Sequence, residues 1–307
     1  MPVSGGVNGS PIFGGVWFVD GTNGSNSNSG RKPGKAYATI QKALTNQIAN
    51  STGLGDVIYV FPGTYAESLT GTMNKVEIRG LQIGASPHMA SIRPTSSYSY
   101  TGSMTDSAFR NLILMSPSSS NTEYAAIMPT YMGYSAIENC FICGRAAGAV
   151  VGIQIGSPTD QTTAVKFDFS SISNNIINTF YGTGCSFTYG IQHSALTDTY
   201  ASTKQMWGSV INNNRITAST CGISIGCQIN KCYGSHIKGN IIDSMENGYG
   251  PTYGIQSVSS GMQSLMVIEN RIKAQTDGIR NFLDENVFGN LISLGGAAVV
   301  GESPDYT

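Results

Sequence analysis

Short apolar segments recur along the chain, and polar residues and glycines separate each segment from the next. One recurring element is an asparagine, then any residue, then an apolar residue. A second element, a small residue followed by isoleucine, lies between successive copies of the first. The two elements alternate strictly from Asn111 to Asn290. Short apolar segments bounded by turn residues predict an all-β fold.

The spacing of this repeat indicates a solenoid. Successive asparagines are 28, 36, 39, 26, 30 and 20 residues apart, which is typical of regular strands with insertions of variable length. A single β coil cannot bury its apolar face alone, so coils stack, with parallel strands about 4.8 Å apart. Isoleucine then lies above isoleucine, and the asparagine amides form a hydrogen-bonded ladder. The predicted ladder residues are Asn111, Asn139, Asn175, Asn214, Asn240, Asn270 and Asn290.

The beginning of the chain has a different pattern, that of an amphipathic helix. Thr39 is placed to cap its N-terminus, and one face of the helix carries the apolar residues. This face predicts a cap over the open end of the first coil, where an uncovered β edge would promote aggregation. The predicted capping residues are Thr39, Ile40, Ala43, Leu44 and Ile48.

Three stretches carry a resemblance to a known family: "WFVDGTNGSNSNSG", "YATIQKAL" and "GDVIYVFPGTYAE". In these stretches the chain resembles the right-handed parallel β-helix proteins of the pectate-lyase-like superfamily, which include phage tailspikes and capsid-decoration proteins. The resemblance implies a single-stranded right-handed parallel β-helix solenoid with an N-terminal capping helix. The predicted divisions are an arm (1–16), the entry and capping helix (17–69), the coils with loop insertions (70–293) and a tail (294–307).

Composition and charge exclude several classes of partner. Charged residues make up 11% of the chain and the net charge is −1, whereas a nucleic-acid-binding protein needs clustered Lys and Arg. No segment approaches the roughly 20 apolar residues of a membrane span. The start of the chain lacks the pattern of a signal peptide. We therefore predict synthesis in a host cytoplasm and a location in a virion.

The six cysteines are predicted to be buried, reduced thiols. Cys140 and Cys143 form a C-x-x-C motif, but it lies in an alternating β segment. Residues three apart on a strand point to opposite faces and are about 10 Å apart. The motif therefore predicts no metal site, and the sequence predicts no cofactor.

The chain lacks the complete catalytic motifs of the family. Glycoside cleavage needs two carboxyl groups roughly 5–9.5 Å apart, and the acidic residues of this chain are thinly spread. Arg271–Lys273 reads "RIK", which is similar to a tripeptide of polygalacturonases, but their accompanying "NTD", "DD" and "GHG" stretches are missing. "YGIQH", ending at His193, is similar to part of an alginate-epimerase motif, but this chain lacks the Asp and Pro of that motif. We predict structural roles for both and no catalytic residue.

Three hypotheses for the function remain. The favoured one is a non-enzymatic structural protein of a bacteriophage particle, a homotrimer bound to phage capsid or tail proteins. The second is a tailspike-type polysaccharide depolymerase, a lyase or glycoside hydrolase, with its site between subunits. The third is a glycan-binding adhesin that contacts surface polysaccharide through the aromatic residues of its insertions.

Overall fold

The computed structural model describes residues 14–50, 55–82, 89–95, 97–117, 125–145, 151–156, 165–178, 187–193, 204–226, 232–243, 250–257, 264–282 and 286–294. In these residues the chain winds into successive coils, and each full coil adds one strand to each of three all-parallel sheets. The fold is therefore all-β, as the sequence predicted. A short 3-10 helix (Pro33–Lys35) and one α-helix, α1 (Ile40–Asn50), lie near its beginning.

Ten strands in parallel register form the first sheet. They are β1 (Val16–Val19), β2 (Asp56–Val60), β6 (Val76–Gly80), β9 (Ala108–Arg110), β12 (Ala136–Glu138), β16 (Ser171–Ser173), β20 (Val210–Asn212), β23 (Ser235–Lys238), β26 (Leu265–Ile268) and β29 (Val287–Phe288). The second sheet has nine strands: β3 (Gly63–Tyr65), β7 (Ala90–Ile92), β10 (Leu112–Met115), β13 (Phe141–Cys143), β17 (Ile176–Asn178), β21 (Arg215–Thr217), β24 (Ile241–Asp243), β27 (Arg271–Ala274) and β30 (Leu291–Leu294).

The third sheet divides into two ribbons at its longest strand, β11 (Ala125–Gly133). The start of β11 pairs with a ribbon of β14 (Val151–Ile155), β18 (Tyr189–His193), β22 (Cys221–Ile225), β25 (Tyr253–Ser257) and β28 (Asp277–Arg280). The end of β11 pairs with β15 (Val165–Asp168), which pairs with β19 (Lys204–Trp207). On its other side β11 pairs with β8 (Tyr100–Thr105), which joins β4 (Leu69–Thr70) and β5 (Met73–Asn74).

Stacked isoleucines fill the interior of the solenoid. Successive coils place Ile137 beside Ile172, Ile142 beside Ile177 and Ile153 beside Ile191, one pair in each sheet. All six side chains are buried. The β-branched side chain packs well on a pleated sheet, so each coil presents the same surface to the next. The predicted stacking of isoleucine above isoleucine is confirmed.

The small residue before isoleucine in the second repeat element packs against the second sheet. A Cβ at Gly254 would overlap Cγ2 of Ile272 and the carbonyl oxygen of Gly278. Gly152, Gly190, Gly222 and Gly278 meet an isoleucine of the second sheet in the same way. Glycine at these positions lets the third and second sheets approach closely, and this packing explains why the element recurs.

The helix α1 covers the beginning of the solenoid. The hydroxyl of Thr39 accepts a hydrogen bond from Lys42 N–H at 3.3 Å, which is N-terminal capping. Ile40, Ala43 and Leu44 are buried in the core. Ile48 was predicted on the same face, but it is 45% exposed. Gln47 is buried instead and donates to the Asp56 carboxylate at 3.1 Å.

Five of the seven predicted ladder asparagines form a continuous ladder at the turn between the first and second sheets. Nδ2 of Asn175 donates to Oδ1 of Asn214 at 3.0 Å, and the Asn175 N–H donates to the same oxygen. Each Nδ2 also donates to a backbone carbonyl of the preceding coil, as Asn175 does to Ile137. The ladder runs through Asn175, Asn214, Asn240, Asn270 and Asn290.

The prediction was wrong for Asn111 and Asn139, which lie one residue before the ladder position. Both are exposed and have a left-handed backbone, with φ of 56° and 54°. Asparagine tolerates this conformation better than most residues do. The ladder position itself is held by Leu112 and Cys140 in these coils. A left-handed residue precedes the ladder asparagines as well, at Asn174, Asn213, Gly239, Glu269 and Gly289.

The cysteines differ from the prediction at one position. Cys140, Cys143 and Cys221 are free and buried, and burial raises the pKa of Cys140 and Cys143 to about 12. Cys232 is disulfide-bonded, so the expectation of reduced thiols fails there. Cys185 and Cys227, the two cysteines that remain as candidates for its partner, lie outside the described residues.

Within the described ranges, no helix has the length and hydropathy that crossing a membrane requires. The same part of the chain holds no group of three or more His, Cys, Asp or Glu side chains placed to bind a metal ion. The predicted arm (1–16) is described only from residue 14, and the predicted tail (294–307) only at residue 294.

Candidate functional site

The turn that leads from the third sheet into the first, here called the first corner, exposes one residue per coil to solvent. A residue with positive φ precedes each strand of the first sheet from β6 to β26. These corner residues are Lys75, Asp106, Tyr134, Phe169, Gly208, Gly234 and Ser264. The residue that follows each corner residue points back into the coil, as a second ladder shows.

Serines form this second ladder, which the sequence analysis missed. The N–H of Ser135 donates to Oγ of Ser170 at 3.0 Å, and Ser170 N–H donates to Oγ of Ser209 at 3.0 Å. The ladder extends to Ser107 at one end and to Ser235 at the other. The signal was available, since each of these serines lies five residues before the position of the asparagine ladder. The residue before each serine is therefore the outward-pointing corner residue.

Two aromatic residues occupy corner positions where they are conformationally unfavourable. Tyr134 has a φ of 51° and Phe169 a φ of 48°. A bulky side chain is rarely found in this region, which costs roughly 1–3 kcal/mol and often marks a functional site. Later coils use Gly208 and Gly234 at the same position. The fold therefore does not need a large side chain there.

Together with two neighbours, these residues form an exposed aromatic strip. The rings of Tyr134 and Phe169 stack with centroids 5.1 Å apart, although the side chains are 62% and 52% exposed. Trp207 and Tyr233 lie at the corner in the next two coils, edge to face at 6.4 Å. We call Tyr134, Phe169, Trp207 and Tyr233 the aromatic strip. It runs along the solenoid axis.

Polar groups flank the strip on the outer face of the third sheet. Oδ2 of Asp168 accepts a hydrogen bond from Nε2 of Gln205 at 2.7 Å. Its Oδ1 is enclosed. Burial raises the pKa of Asp168, against the hydrogen bond from Gln205 and the charge of Lys166.

Tyr131 lies between Asp168 and a second carboxyl group, that of Asp106. Gly133 leaves room for the Tyr131 hydroxyl, since a Cβ there would overlap it. Burial raises the pKa of Tyr131, and the negative charges of Asp168 and Asp106 raise it further. Both carboxylates therefore act on the same hydroxyl group.

A depression of about 280 Å³ opens beside the strip on the outer face of the first sheet. Ala108 and Ala136 are among the small side chains that line it, and Tyr134 and Asp106 line it at the corner. Ion pairs follow the same face: Arg79 pairs with Glu77, and Arg110 lies between Glu77 and Glu138. The depression and the aromatic strip thus form one continuous surface that carries aromatic, acidic, basic and hydroxyl groups.

The predicted structural residues lie away from this surface. Arg271–Lys273 lies in β27 of the second sheet, and His193 is buried at the end of β18. The ladder asparagines lie at the other end of the first-sheet strands. Tyr134 and Trp207 belong to the insertion aromatics that the sequence analysis expected to contact polysaccharide or another subunit, but the corner that brings them together was not predicted.

Comparisons with known proteins identify the fold. No family model and no curated protein matches the chain. Among solved structures, rice weevil pectin methyl esterase is 15% identical, with a TM-score of 0.55, over 89% of this chain and 90% of that one. Pectate lyase Pel9A is 13% identical, with a TM-score of 0.53, over 93% and 78%. A lacto-N-biosidase from Eubacterium ramulus is 8% identical, with a TM-score of 0.55, over 90% and 56%.

These similarities, the three all-parallel sheets and the capping helix agree with one another. At such low identity they establish the fold and leave the activity open. The chain has the fold of a right-handed parallel β-helix, and in this fold it is similar to pectin methyl esterase and pectate lyase.

Proposed function

We propose that this β-helix binds a polysaccharide along the first corner and acts on it there. The observation that carries the proposal is the exposed, stacked pair of Tyr134 and Phe169 at left-handed positions. These rings contribute little to the core, because glycine serves at the same position in later coils. An energetically costly conformation that the fold does not require indicates a role at the surface.

The polar groups beside the strip suit a sugar chain. Saccharides present apolar C–H faces, which stack on aromatic rings, and hydroxyl groups, which form hydrogen bonds. The amide of Gln205, the hydroxyl of Tyr131 and the carboxyl of Asp168 lie within the same patch. The strip runs along the axis over four coils, so it offers an extended chain several contacts in a row.

The fold neighbours agree with this proposal, since pectin methyl esterase, pectate lyase and lacto-N-biosidase are all named for saccharide substrates. The proposal therefore favours the depolymerase hypothesis over a purely structural role. It places the site within one chain, whereas the sequence analysis expected it between subunits. The homotrimer, the phage capsid or tail partners and the virion location stay predictions.

Affinity electrophoresis tests binding. The protein migrates through native gels that each contain one polysaccharide, and binding to that polysaccharide slows its migration. We expect at least one bacterial or plant polysaccharide to slow the wild-type protein, and the double variant Tyr134→Ala/Phe169→Ala to migrate freely. Phe288→Ala is the matched control, because Phe288 is also 52% exposed but lies in the last strand of the first sheet. Equal retardation of the double variant, or no retardation by any polysaccharide, would contradict the proposal.

The polysaccharide that slows the protein is then incubated with it in solution. The release of new reducing ends or unsaturated products distinguishes a depolymerase from an adhesin. A depolymerase releases such products, whereas an adhesin binds without turnover.

A further inference from the structure

The surface formed by the depression and the aromatic strip carries charges of both signs, and each arginine of this surface lies beside a carboxylate. Arg79 pairs with Glu77. Arg110 pairs with Glu138, and its Nε lies 3.7 Å from the Glu77 carboxylate. Glu138 also accepts a hydrogen bond from Oγ of Ser171 at 2.8 Å. The charges of the two guanidinium groups are therefore balanced within the protein.

The two lysines that the structure describes on this surface also have carboxyl groups as neighbours. Lys75 and Asp106 are the corner residues of successive coils, and both line the depression. At about 4.8 Å per coil their backbones are adjacent, so the negative charge of one offsets the positive charge of the other. Burial raises the pKa of Asp168, and the charge of Lys166, two residues earlier on the same strand, acts against this rise.

A further carboxyl group, that of Asp56, lines the depression from below. It is buried and accepts hydrogen bonds from Nε2 of Gln47, at 3.1 Å, and from the N–H of Gly15. The described side chains of the surface thus comprise four cations and five carboxyl groups, which gives a net charge of −1 when all are ionised. This part of the molecule has no excess of positive charge.

This balance of charge determines which sugars suit the surface. The carboxylate of an acidic sugar would approach Glu77, Asp106 or Asp168, and like charges repel. A neutral sugar carries hydroxyl groups, which donate to carboxylates and accept from ammonium and guanidinium groups. Such charge-assisted hydrogen bonds are roughly twice as strong as those between neutral groups. Paired charges of both signs therefore favour a ligand that has many hydroxyl groups and no charge.

Small side chains leave room for such a ligand in the depression. Ala108 and Ala136 follow Glu77 in the register of the first sheet, and both are buried. Arg110 and Tyr134 also line the depression. Its volume of about 280 Å³ lies just below the roughly 300–1,000 Å³ of pockets for drug-sized ligands. One sugar unit next to the ring of Tyr134 would therefore have charged groups of both signs beside it.

We propose that the first corner and the depression bind a neutral polysaccharide, one without uronic acid, sulfate or phosphate groups. This inference rests on the proposed function, since it names the substrate class of that same site. Glu77 and Asp106 exclude acidic chains, and the aromatic strip stacks on the sugar rings of neutral ones.

The test compares two sets of soluble polysaccharides in affinity electrophoresis. The neutral set is galactomannan, xyloglucan and mixed-linkage β-glucan, and the acidic set is polygalacturonate, alginate and hyaluronate. We expect a neutral polysaccharide to slow the wild-type protein most. Its Kd, measured by calorimetry, should change less than about twofold from about 0.01 M to about 1 M NaCl, over which the Debye length falls from about 30 Å to about 3 Å.

A variant tests the charge balance directly. Glu77→Gln keeps the shape of the side chain and leaves Arg79 and Arg110 with less negative charge beside them. It should bind at least one acidic polysaccharide about tenfold more tightly than the wild type does at about 0.01 M NaCl. Glu269→Gln is the matched control, because it leaves Lys238 without its partner at 3.2 Å in later coils. It should gain no such affinity.

The outcomes separate this inference from the proposed function. An acidic polysaccharide that slows the wild type most, or a Kd that rises steeply with salt, would overturn the inference and leave the proposed function intact. The same conclusion would follow if Glu77→Gln, at a wild-type thermal midpoint, bound acidic polysaccharides no better than Glu269→Gln does. A protein that neither set slows would overturn both.

Discussion

The backbone N–H of Cys140 donates to Oδ1 of Asn175 at 2.9 Å, and the asparagine ladder ends at this contact. Sγ of Cys140 takes the place of an asparagine amide and donates to the carbonyls of Glu138 and Phe109, at 3.3 and 3.7 Å. A thiol is a weak donor and a weak acceptor. The coil of Cys140 therefore has the same backbone conformation as a ladder coil, but it lacks the hydrogen bonds that an asparagine amide would donate.

Cys140→Asn is expected to extend the ladder by one coil. The new amide would donate to Oδ1 of Asn175 and to the Phe109 carbonyl, as the other ladder asparagines donate to their equivalents. At about 1 kcal/mol for a net hydrogen bond, the free energy of unfolding should rise by about that amount. Cys143→Asn is the control, since Cys143 is buried outside the ladder and should be destabilised. A lower thermal midpoint for Cys140→Asn would contradict the geometry.

Asn214→Ala is expected to destabilise the protein by about 2–4 kcal/mol. It leaves the N–H and Nδ2 of Asn175 and the carbonyl of Ile172 without their partner, and an unsatisfied buried group costs about 1–3 kcal/mol. Asn139→Gly removes an asparagine of the same sequence motif, but one that lies outside the ladder at a φ of 54°. Glycine adopts this conformation readily, so this variant should match the wild type in urea unfolding. Equal losses in the two variants would indicate that both asparagines belong to one ladder.

The solenoid could be predicted from the sequence because every coil places its inward residues in the same core environment. Isoleucine fits that environment, so it recurs at the inward positions. It misplaced Asn111 and Asn139 because both the left-handed position and the ladder position favour asparagine, for different reasons. Asn174 and Asn175 show the ambiguity directly, since the first is the left-handed residue and the second the ladder residue. Only the offset from the serine ladder separates them.

The first corner escaped prediction for a different reason. Its aromatic residues occur at a position that is glycine in later coils and lysine or aspartate in earlier ones, so no residue type repeats. Asp106 and Asp168 are far apart in sequence, and only the stacking of coils places both of them near Tyr131. The pairing register that brings them together becomes visible once the strands are aligned.

Gly254→Ala is expected to destabilise the protein by about 1–3 kcal/mol. The added Cβ would overlap Ile272 and the backbone carbonyl of Gly278, and overpacking of a tight interior has this cost. Gly34→Ala is the control, because a Cβ there meets nothing within 4 Å. Its thermal midpoint should equal that of the wild type. If Gly254→Ala unfolds at the wild-type temperature, the second and third sheets pack less closely than the structure indicates.

Glu67 is expected to make stability depend on pH. Its carboxylate accepts hydrogen bonds from the N–H groups of Ile40 and Gln41 at 2.8 and 2.9 Å, at the beginning of α1. Burial nevertheless raises the pKa of Glu67 above its ordinary value of 4.5, against these two hydrogen bonds. The folded state therefore binds the proton more tightly than the unfolded state does. The resulting stabilisation is complete below about pH 4.5 and is lost as pH rises through the folded-state pKa.

Glu67→Gln removes this titration. Its free energy of unfolding should therefore fall less than that of the wild type as pH rises above 4.5, in urea titrations at several pH values. Parallel curves for the two proteins over this interval would show that Glu67 titrates alike in the folded and unfolded states.

Alkylation followed by mass spectrometry is expected to find four free thiols in the denatured, unreduced protein. The chain has six cysteines, and the disulfide of Cys232 removes two of them. In the native protein Cys140, Cys143 and Cys221 should react slowly, because burial raises the pKa of each thiol and little thiolate is present. Cys232→Ser should expose all five remaining cysteines to alkylation without reductant. Six alkylated cysteines in the unreduced wild type would show that the disulfide does not form, and Cys232 would then join the buried thiols that the sequence predicted.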